Sequence, residues 1–128
     1  MKIKKFVISY YKSLLVFLLI LFASIIPADE VTDVSWLSFP NLDKLIHLGM
    51  YFTFTLVLIF DISKSKPSYS NQKIYLFSGF LAFFYGGILE FGQFAFTDSR
   101  SGDFFDFLFN TAGALLAILL WLILKKTK

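Results

Sequence analysis

Polar residues with the chemistry of a binding site are concentrated in three parts of a chain that is otherwise largely apolar. In the first part they recur every four residues, which places them on one face of a helix. In the last part they follow the i, i+3, i+7 spacing of another helical stripe. The ten residues are Asp43, Lys44, His47, Tyr51, Glu90, Gln93, Arg100, Asp103, Asp106 and Asn110. Ionisable groups inside apolar helices are costly and usually functional, so we predict that these ten bind a ligand.

The residue types suggest three kinds of chemistry. Lys44 and Arg100 can hold a phosphate or a carboxylate. His47 can act as a base, and Glu90 or Asp106 as an acid, so these three are the catalytic candidates. Carboxylates and imidazole also suit ions such as zinc or manganese. Because no motif of the H-E-x-x-H kind is present, no metal site is predicted, and a metal-assisted enzyme is kept as an alternative.

The composition is typical of an integral membrane protein. The chain has 128 residues, of which 57% are hydrophobic, and its mean hydropathy is +0.71. Ordinary soluble domains have about 45–50% apolar residues. This length predicts a single domain, residues 1–128. The absence of cysteine excludes disulfides and thiolate metal sites, and no residue pattern indicates a nucleotide cofactor.

Four apolar segments have about the 20 residues that a membrane-spanning helix needs. We place them at residues 6–26, 45–62, 74–96 and 104–124, and predict an all-α integral membrane bundle of four transmembrane helices. The first segment ends in a poor cleavage site for a signal peptide, so it is expected to remain in the protein. The stretch 61–73 is predicted to be a plain connector. The short connection 97–103 makes the third and fourth helices antiparallel neighbours.

Basic residues predict the orientation of the bundle. Of the twelve lysines and arginines, all but Lys44 and Arg100 lie at the termini or in the connection between the second and third helices. The positive-inside rule therefore predicts both termini in the cytoplasm. The formal charge of +3 is then a topology signal, and no nucleic-acid partner is expected.

The polar stripes lie at similar depths below the outer boundary of the membrane. At 1.5 Å per residue, His47 is about 5 Å deep, and Tyr51, Glu90 and Asn110 are about 9–10 Å deep. Because lipid cannot satisfy these groups, they should face one another and form a polar pocket open to the outer leaflet. The alternative is that they only hold the helices together, with small residues such as Gly113 allowing close approach.

Two stretches resemble the signatures of the VanZ-like membrane proteins. D-K-L-I-H-L-G-M-Y (Asp43–Tyr51) resembles the first signature, and G-G-I-L-E-F-G-Q (Gly86–Gln93) begins the second. The second continues at Arg100, Ser101, Gly102, Asp103, Asp106, Asn110, Thr111 and Gly113. The resemblance runs from Asp43 to about Ala117. It implies a small multi-pass protein of the bacterial cytoplasmic membrane, from a family whose namesake is linked to resistance to the glycopeptide teicoplanin.

We therefore predict a VanZ-like protein whose polar pocket binds or modifies an anionic component of the cell envelope, with a link to glycopeptide resistance. The expected partners are membrane lipid and a lipid-linked cell-wall precursor. Two alternatives stay open at this point. One is a metal-assisted hydrolase or transferase acting on lipid-linked phosphate, and the other is a structural or assembly partner without a ligand. Whether a reaction is catalysed, and the oligomeric state, are left open.

Overall fold

The computed structural model describes residues 1–26, 41–96 and 104–127. They form four helices, α1 (Lys2–Ile25), α2 (Leu42–Ser65), α3 (Asn71–Phe96) and α4 (Phe104–Lys126), with no strand in these ranges. Each helix is long and apolar enough to cross a membrane. The prediction of an all-helical bundle with four membrane spans is confirmed, and the chain is a multi-pass membrane protein.

The helices extend beyond the predicted spans, and the predicted connector 61–73 is wrong at both ends. The α2 helix continues through Asp61 to Ser65, and α3 already begins at Asn71. Polar residues end an apolar pattern without breaking a helix. The predicted spans are therefore shorter than the helices. The break comes at Lys66, whose φ of −132° and ψ of 66° are not helical. This residue precedes Pro67, and a proline disfavours helical geometry in the residue before it.

The α2 helix lies at the centre of the bundle and packs most extensively against α4. A methyl group at Gly113 would overlap the backbone carbonyl of Leu48, so the two helix backbones approach closely at this point. At Gly86 on α3, a methyl group would lie 3.2 Å from both the Tyr51 ring and the Asn110 amide nitrogen. The expected role of small residues in bringing the helices together is confirmed at these two glycines.

The α1 helix is the most peripheral of the four and is tied to the bundle at mid-depth. The hydroxyl of Tyr85 on α3 donates a hydrogen bond to the Phe17 carbonyl at 2.7 Å. The two rings also stack, with centroids 4.2 Å apart. Towards its start α1 is kinked at Tyr10, where φ is −121° and ψ is 16°. Many phenylalanines lie on the outer surface of the bundle, as expected for side chains that face lipid.

Candidate functional site

The start of α2, the last turns of α3 and the start of α4 meet at the end of the bundle opposite the connection between α2 and α3. These three helix ends bring together five of the ten predicted site residues. We call them the rim cluster, which consists of Lys44, His47, Glu90, Asp106 and Asn110. The three helices contribute two, one and two of these residues, so the packing of the bundle makes them a unit.

The single histidine of the chain lies at the centre of the rim cluster. Its Nδ1 atom is 2.9 Å from the Asn110 amide oxygen and 3.6 Å from a carboxylate oxygen of Glu90. Its Nε2 atom is 3.7 Å from a carboxylate oxygen of Asp106. An amide oxygen can only accept a hydrogen bond, so the bond to Asn110 requires a proton on His47 Nδ1. In the neutral ring, this leaves the Nε2 lone pair facing Asp106.

Lys44 supplies the positive charge of the rim cluster. Its ammonium nitrogen is 3.9 Å from Asp106 Oδ1 and 3.3 Å from Asp43 Oδ2. The Asp43 side chain is 58% exposed, so this second contact lies on the outside of the cluster. Within the cluster, Lys44 therefore lies beside the carboxylate of Asp106, and Glu90 supplies a second carboxylate beside His47.

The rim cluster is buried without being sealed. Asn110 is 1% and Glu90 is 8% exposed. The side chains of His47, Asp106 and Lys44 are 12%, 16% and 20% exposed. Exposure rises from the deepest residue to the lysine nearest the helix start. A ligand at the bundle surface can therefore contact Lys44 first, while the carboxylate of Glu90 stays in a region of weak screening.

Of the other five predicted site residues, three lie within the described ranges. Asp43 contacts Lys44 from the exposed side of the rim cluster. Gln93 donates from Nε2 to the Ser24 carbonyl at 3.1 Å, so it ties α3 to α1. Tyr51 is 1% exposed and packs 6.0 Å from the Tyr85 ring, in the aromatic core beneath the cluster. The predictions for Arg100 and Asp103 concern residues outside the described ranges.

The comparisons with known proteins give one match. A family model described as VanZ/LLP1 matches residues 4–125, which is nearly the whole chain. The chain belongs to the VanZ/LLP1 family. The resemblance noted in the sequence is thereby confirmed, and every residue of the rim cluster lies within the matched range. Neither the curated proteins nor the solved structures include a significant match.

Three residues of this VanZ/LLP1 protein are close enough to share a metal ion. One ligand atom from each of His47, Glu90 and Asp106 lies within 4.8 Å of the others. A nitrogen and two carboxylate oxygens form a donor set that suits zinc or manganese. The amide oxygen of Asn110 accepts a hydrogen bond from His47 Nδ1–H. It would orient the imidazole in the way that second-shell partners orient metal-binding histidines. The sequence contains no metal motif because each ligand comes from a different helix.

A second buried carboxylate of this VanZ/LLP1 protein was missed in the sequence. Asp61 is 4% exposed and accepts hydrogen bonds at Oδ2 from the Ser13 backbone N–H (3.0 Å) and hydroxyl (2.7 Å). The Ser13 backbone points to it one turn after the α1 kink. The helical pattern contained the signal, because Asp61 follows buried Phe54 and Leu58 by seven and three residues. In the sequence, Asp61 lies where the predicted span 45–62 overlaps the predicted connector 61–73, so no buried role was predicted for it.

Proposed function

We propose that the rim cluster is the functional site of the protein and that it binds, or binds and modifies, an anionic component of the bacterial cell envelope. The chemical class is a lipid-linked phosphate or carboxylate, such as a cell-wall precursor on its lipid carrier. The observation that carries the proposal is the meeting of Lys44, His47, Glu90 and Asp106 from three helices in one partly exposed cluster.

The number of ionisable side chains in the rim cluster supports a ligand over simple adhesion between helices. An interhelical hydrogen bond in a membrane contributes only about 0.6 kcal/mol on average. An ionised side chain in the same environment costs several times more. Adhesion alone would be better served by Asn110 and Gln93, which are neutral. Retaining one ammonium, one imidazole and two carboxylates in a single cluster is understandable when a charged ligand completes it.

Lys44 is the group that would meet the ligand. It lies at the exposed edge of the rim cluster, and an ammonium is a compact point charge for a phosphate. Sequence position also puts Arg100 in the connection between α3 and α4, where its fork would suit the same group. The orientation predicted from the lysines, with both termini in the cytoplasm, would turn this edge towards the outer leaflet. Lipid carriers of cell-wall precursors present their phosphate in a membrane interface of this kind.

A metal-assisted hydrolase or transferase on lipid-linked phosphate is the second candidate. It is favoured by the distances among His47, Glu90 and Asp106, whose ligand atoms lie within 4.8 Å of one another. A divalent ion held there would add positive charge to the cluster and would itself attract phosphate. Such an ion supplies Lewis-acid polarisation of a phosphoryl oxygen. The chain's own residues would hold the ion and, through Lys44, orient the phosphate.

The proposal is tested with a polyprenyl phosphate and the corresponding alcohol, each added to purified protein in nanodiscs. The wild-type protein is expected to bind the phosphate on the order of tenfold more tightly than the alcohol, the effect of one charge-assisted contact. Lys44→Met should remove most of that preference. Lys64→Met, which removes a lysine at the other end of α2, is the matched control and should leave it intact. Equal binding of phosphate and alcohol by the wild type would overturn the proposal.

The same assay separates the two candidates. If a metal takes part, chelation should weaken phosphate binding, manganese or zinc should restore it, and Glu90→Gln should abolish the restoration. If the cluster binds the anion directly, chelation has no effect, and Glu90→Gln strengthens binding because it removes a like charge. Teicoplanin susceptibility of cells expressing the wild type or Lys44→Met would then show whether this site affects glycopeptide resistance.

A further inference from the structure

The lysine-bearing end of the bundle contains an apolar groove that the rim cluster does not use. It has a volume of about 440 Å³ and lies between α1 and α3 with α2 as its floor. Leu14, Leu58 and Phe77 represent the three helices in its lining. The α1 and α3 helices contact each other little, which leaves the groove open along the side of the bundle. In a membrane, this opening faces acyl chains.

The groove extends through about half of a membrane. Phe17, whose ring stacks on Tyr85 with centroids 4.2 Å apart, lines it at mid-depth. From Phe17 to Phe6, the lining residue nearest the helix start, α1 rises about 16 Å. One leaflet contributes about 15 Å to a hydrocarbon core of about 30 Å. The groove therefore matches the apolar depth of a single leaflet.

The open end of the groove is positively charged. Lys66 and Lys73 line it there, beside Tyr69. The ammonium of Lys73 lies 4.5 Å from the centre of the Tyr69 ring. Within residues 1–26, 41–96 and 104–127, no acidic side chain forms an ion pair with either lysine. The nearest buried carboxylate along α2, Asp61, is already bound by Ser13. Two ammonium groups above an apolar slot complement an anionic headgroup above a chain.

The shape and charge of the groove favour a lipid as its occupant. It is an apolar slot about 16 Å long that ends at two lysines, which is the arrangement of an acyl chain below an anionic headgroup. A single acyl chain is the membrane component of the right shape. The two lysines then favour a lipid whose headgroup is negatively charged.

We propose that this groove, lined by Leu14, Leu58 and Phe77 and bounded by Lys66 and Lys73, binds one anionic glycerophospholipid, with an acyl chain in the slot and the phosphate between the lysines. The site is independent of the function proposed for the rim cluster. With the termini in the cytoplasm, it would take its lipid from the cytoplasmic leaflet. The bound chain would fill the gap that α1 and α3 leave, and so hold the peripheral helix to the bundle.

The experiment uses full-length protein in nanodiscs of phosphatidylcholine with about one-tenth phosphatidylglycerol, followed by detergent extraction and native mass spectrometry. The wild type is expected to retain one phosphatidylglycerol per chain, enriched about tenfold over its share of the bilayer. The double variant Lys66→Gln/Lys73→Gln should lose this enrichment. The matched control Lys12→Gln/Lys64→Gln removes the same charge at the same end without touching the groove, and should retain it.

A third variant tests the acyl chain separately from the charge. Leu14→Trp fills the slot and leaves both lysines in place, so the retained lipid should be lost although the surface charge is unchanged. Circular dichroism establishes that each variant is helical. An equal loss in Lys12→Gln/Lys64→Gln, unchanged retention in Leu14→Trp, or a second protein copy in place of the lipid would each overturn the proposal.

Discussion

Two regions of the bundle bury a carboxylate, and they do so in opposite ways. At the lysine-bearing end, Asp61 is 4% exposed and receives two hydrogen bonds from one residue, Ser13. At the other end, Glu90 is 8% exposed and shares its surroundings with charged groups from three helices. The first arrangement satisfies one carboxylate with neutral donors. The second brings an ammonium, an imidazole and two carboxylates together in one cluster.

The difference distinguishes a structural contact from a candidate site. The Ser13–Asp61 pair joins α1 to α2, and neither residue reaches further groups in the described contacts. It behaves as a polar contact that holds two helices together. Removing Glu90 would instead change the electrostatics around His47 and Asp106. Buried carboxylates in this protein should therefore be judged by the neighbours that tertiary packing supplies.

The most disruptive test separates the helices that carry His47 and Asp106. Gly113→Ala places a methyl group against the Leu48 carbonyl, which cannot rotate away, and should destabilise the protein by about 2–3 kcal/mol. Gly79→Ala is the control, because its methyl group meets only the flexible end of Ile118, at 3.2 Å. It should change stability by less than about 1 kcal/mol. Thermal unfolding in detergent measures both, and equal shifts would contradict close packing at Gly113.

The next test compares the effects of removing each of the two carboxylates. Asp61→Ala leaves the Ser13 donors without their acceptor and should reduce the free energy of unfolding by about 2 kcal/mol, with polyprenyl phosphate binding unchanged. Glu90→Gln keeps the side-chain shape and should alter binding far more than stability. Unfolding and binding are measured on the same preparations. A change in binding with Asp61→Ala that matches the change with Glu90→Gln would remove the distinction between the regions.

The smallest expected effect concerns the orientation of His47. Asn110→Leu removes the oxygen that accepts the hydrogen bond from His47 Nδ1–H. It should weaken ligand or metal binding on the order of tenfold. Asn110→Asp keeps an acceptor at the same position and should preserve the tautomer. The chain contains one histidine, so its ring ¹⁵N signals can be read directly. A wild-type spectrum with the proton on Nε2 would contradict the hydrogen bond to Asn110.

Much of the fold followed from local patterns. Apolar segments of membrane-spanning length predicted four helices, and the polar spacing predicted which face of each helix carries the polar stripe. Counting residues from the boundaries placed Glu90 and Asn110 at matching depths, and in the structure both contribute to the rim cluster. Two kinds of error remained. The predicted helices end where the apolar pattern stops, and no buried role is predicted for Asp61, which lies where the second span and the polar connector overlap.

The amino-acid sequence alone determined the helices, the family and the set of polar residues available for chemistry. Tertiary structure alone decided that His47 meets Glu90, Asp106 and Asn110, that Gln93 turns to α1, and that a groove remains between α1 and α3. The physical reason is that helical periodicity shows which residues share a face of one helix. It does not show which face of a neighbouring helix they contact. Which faces meet depends on how the helices rotate and approach, and glycines such as Gly113 set that approach.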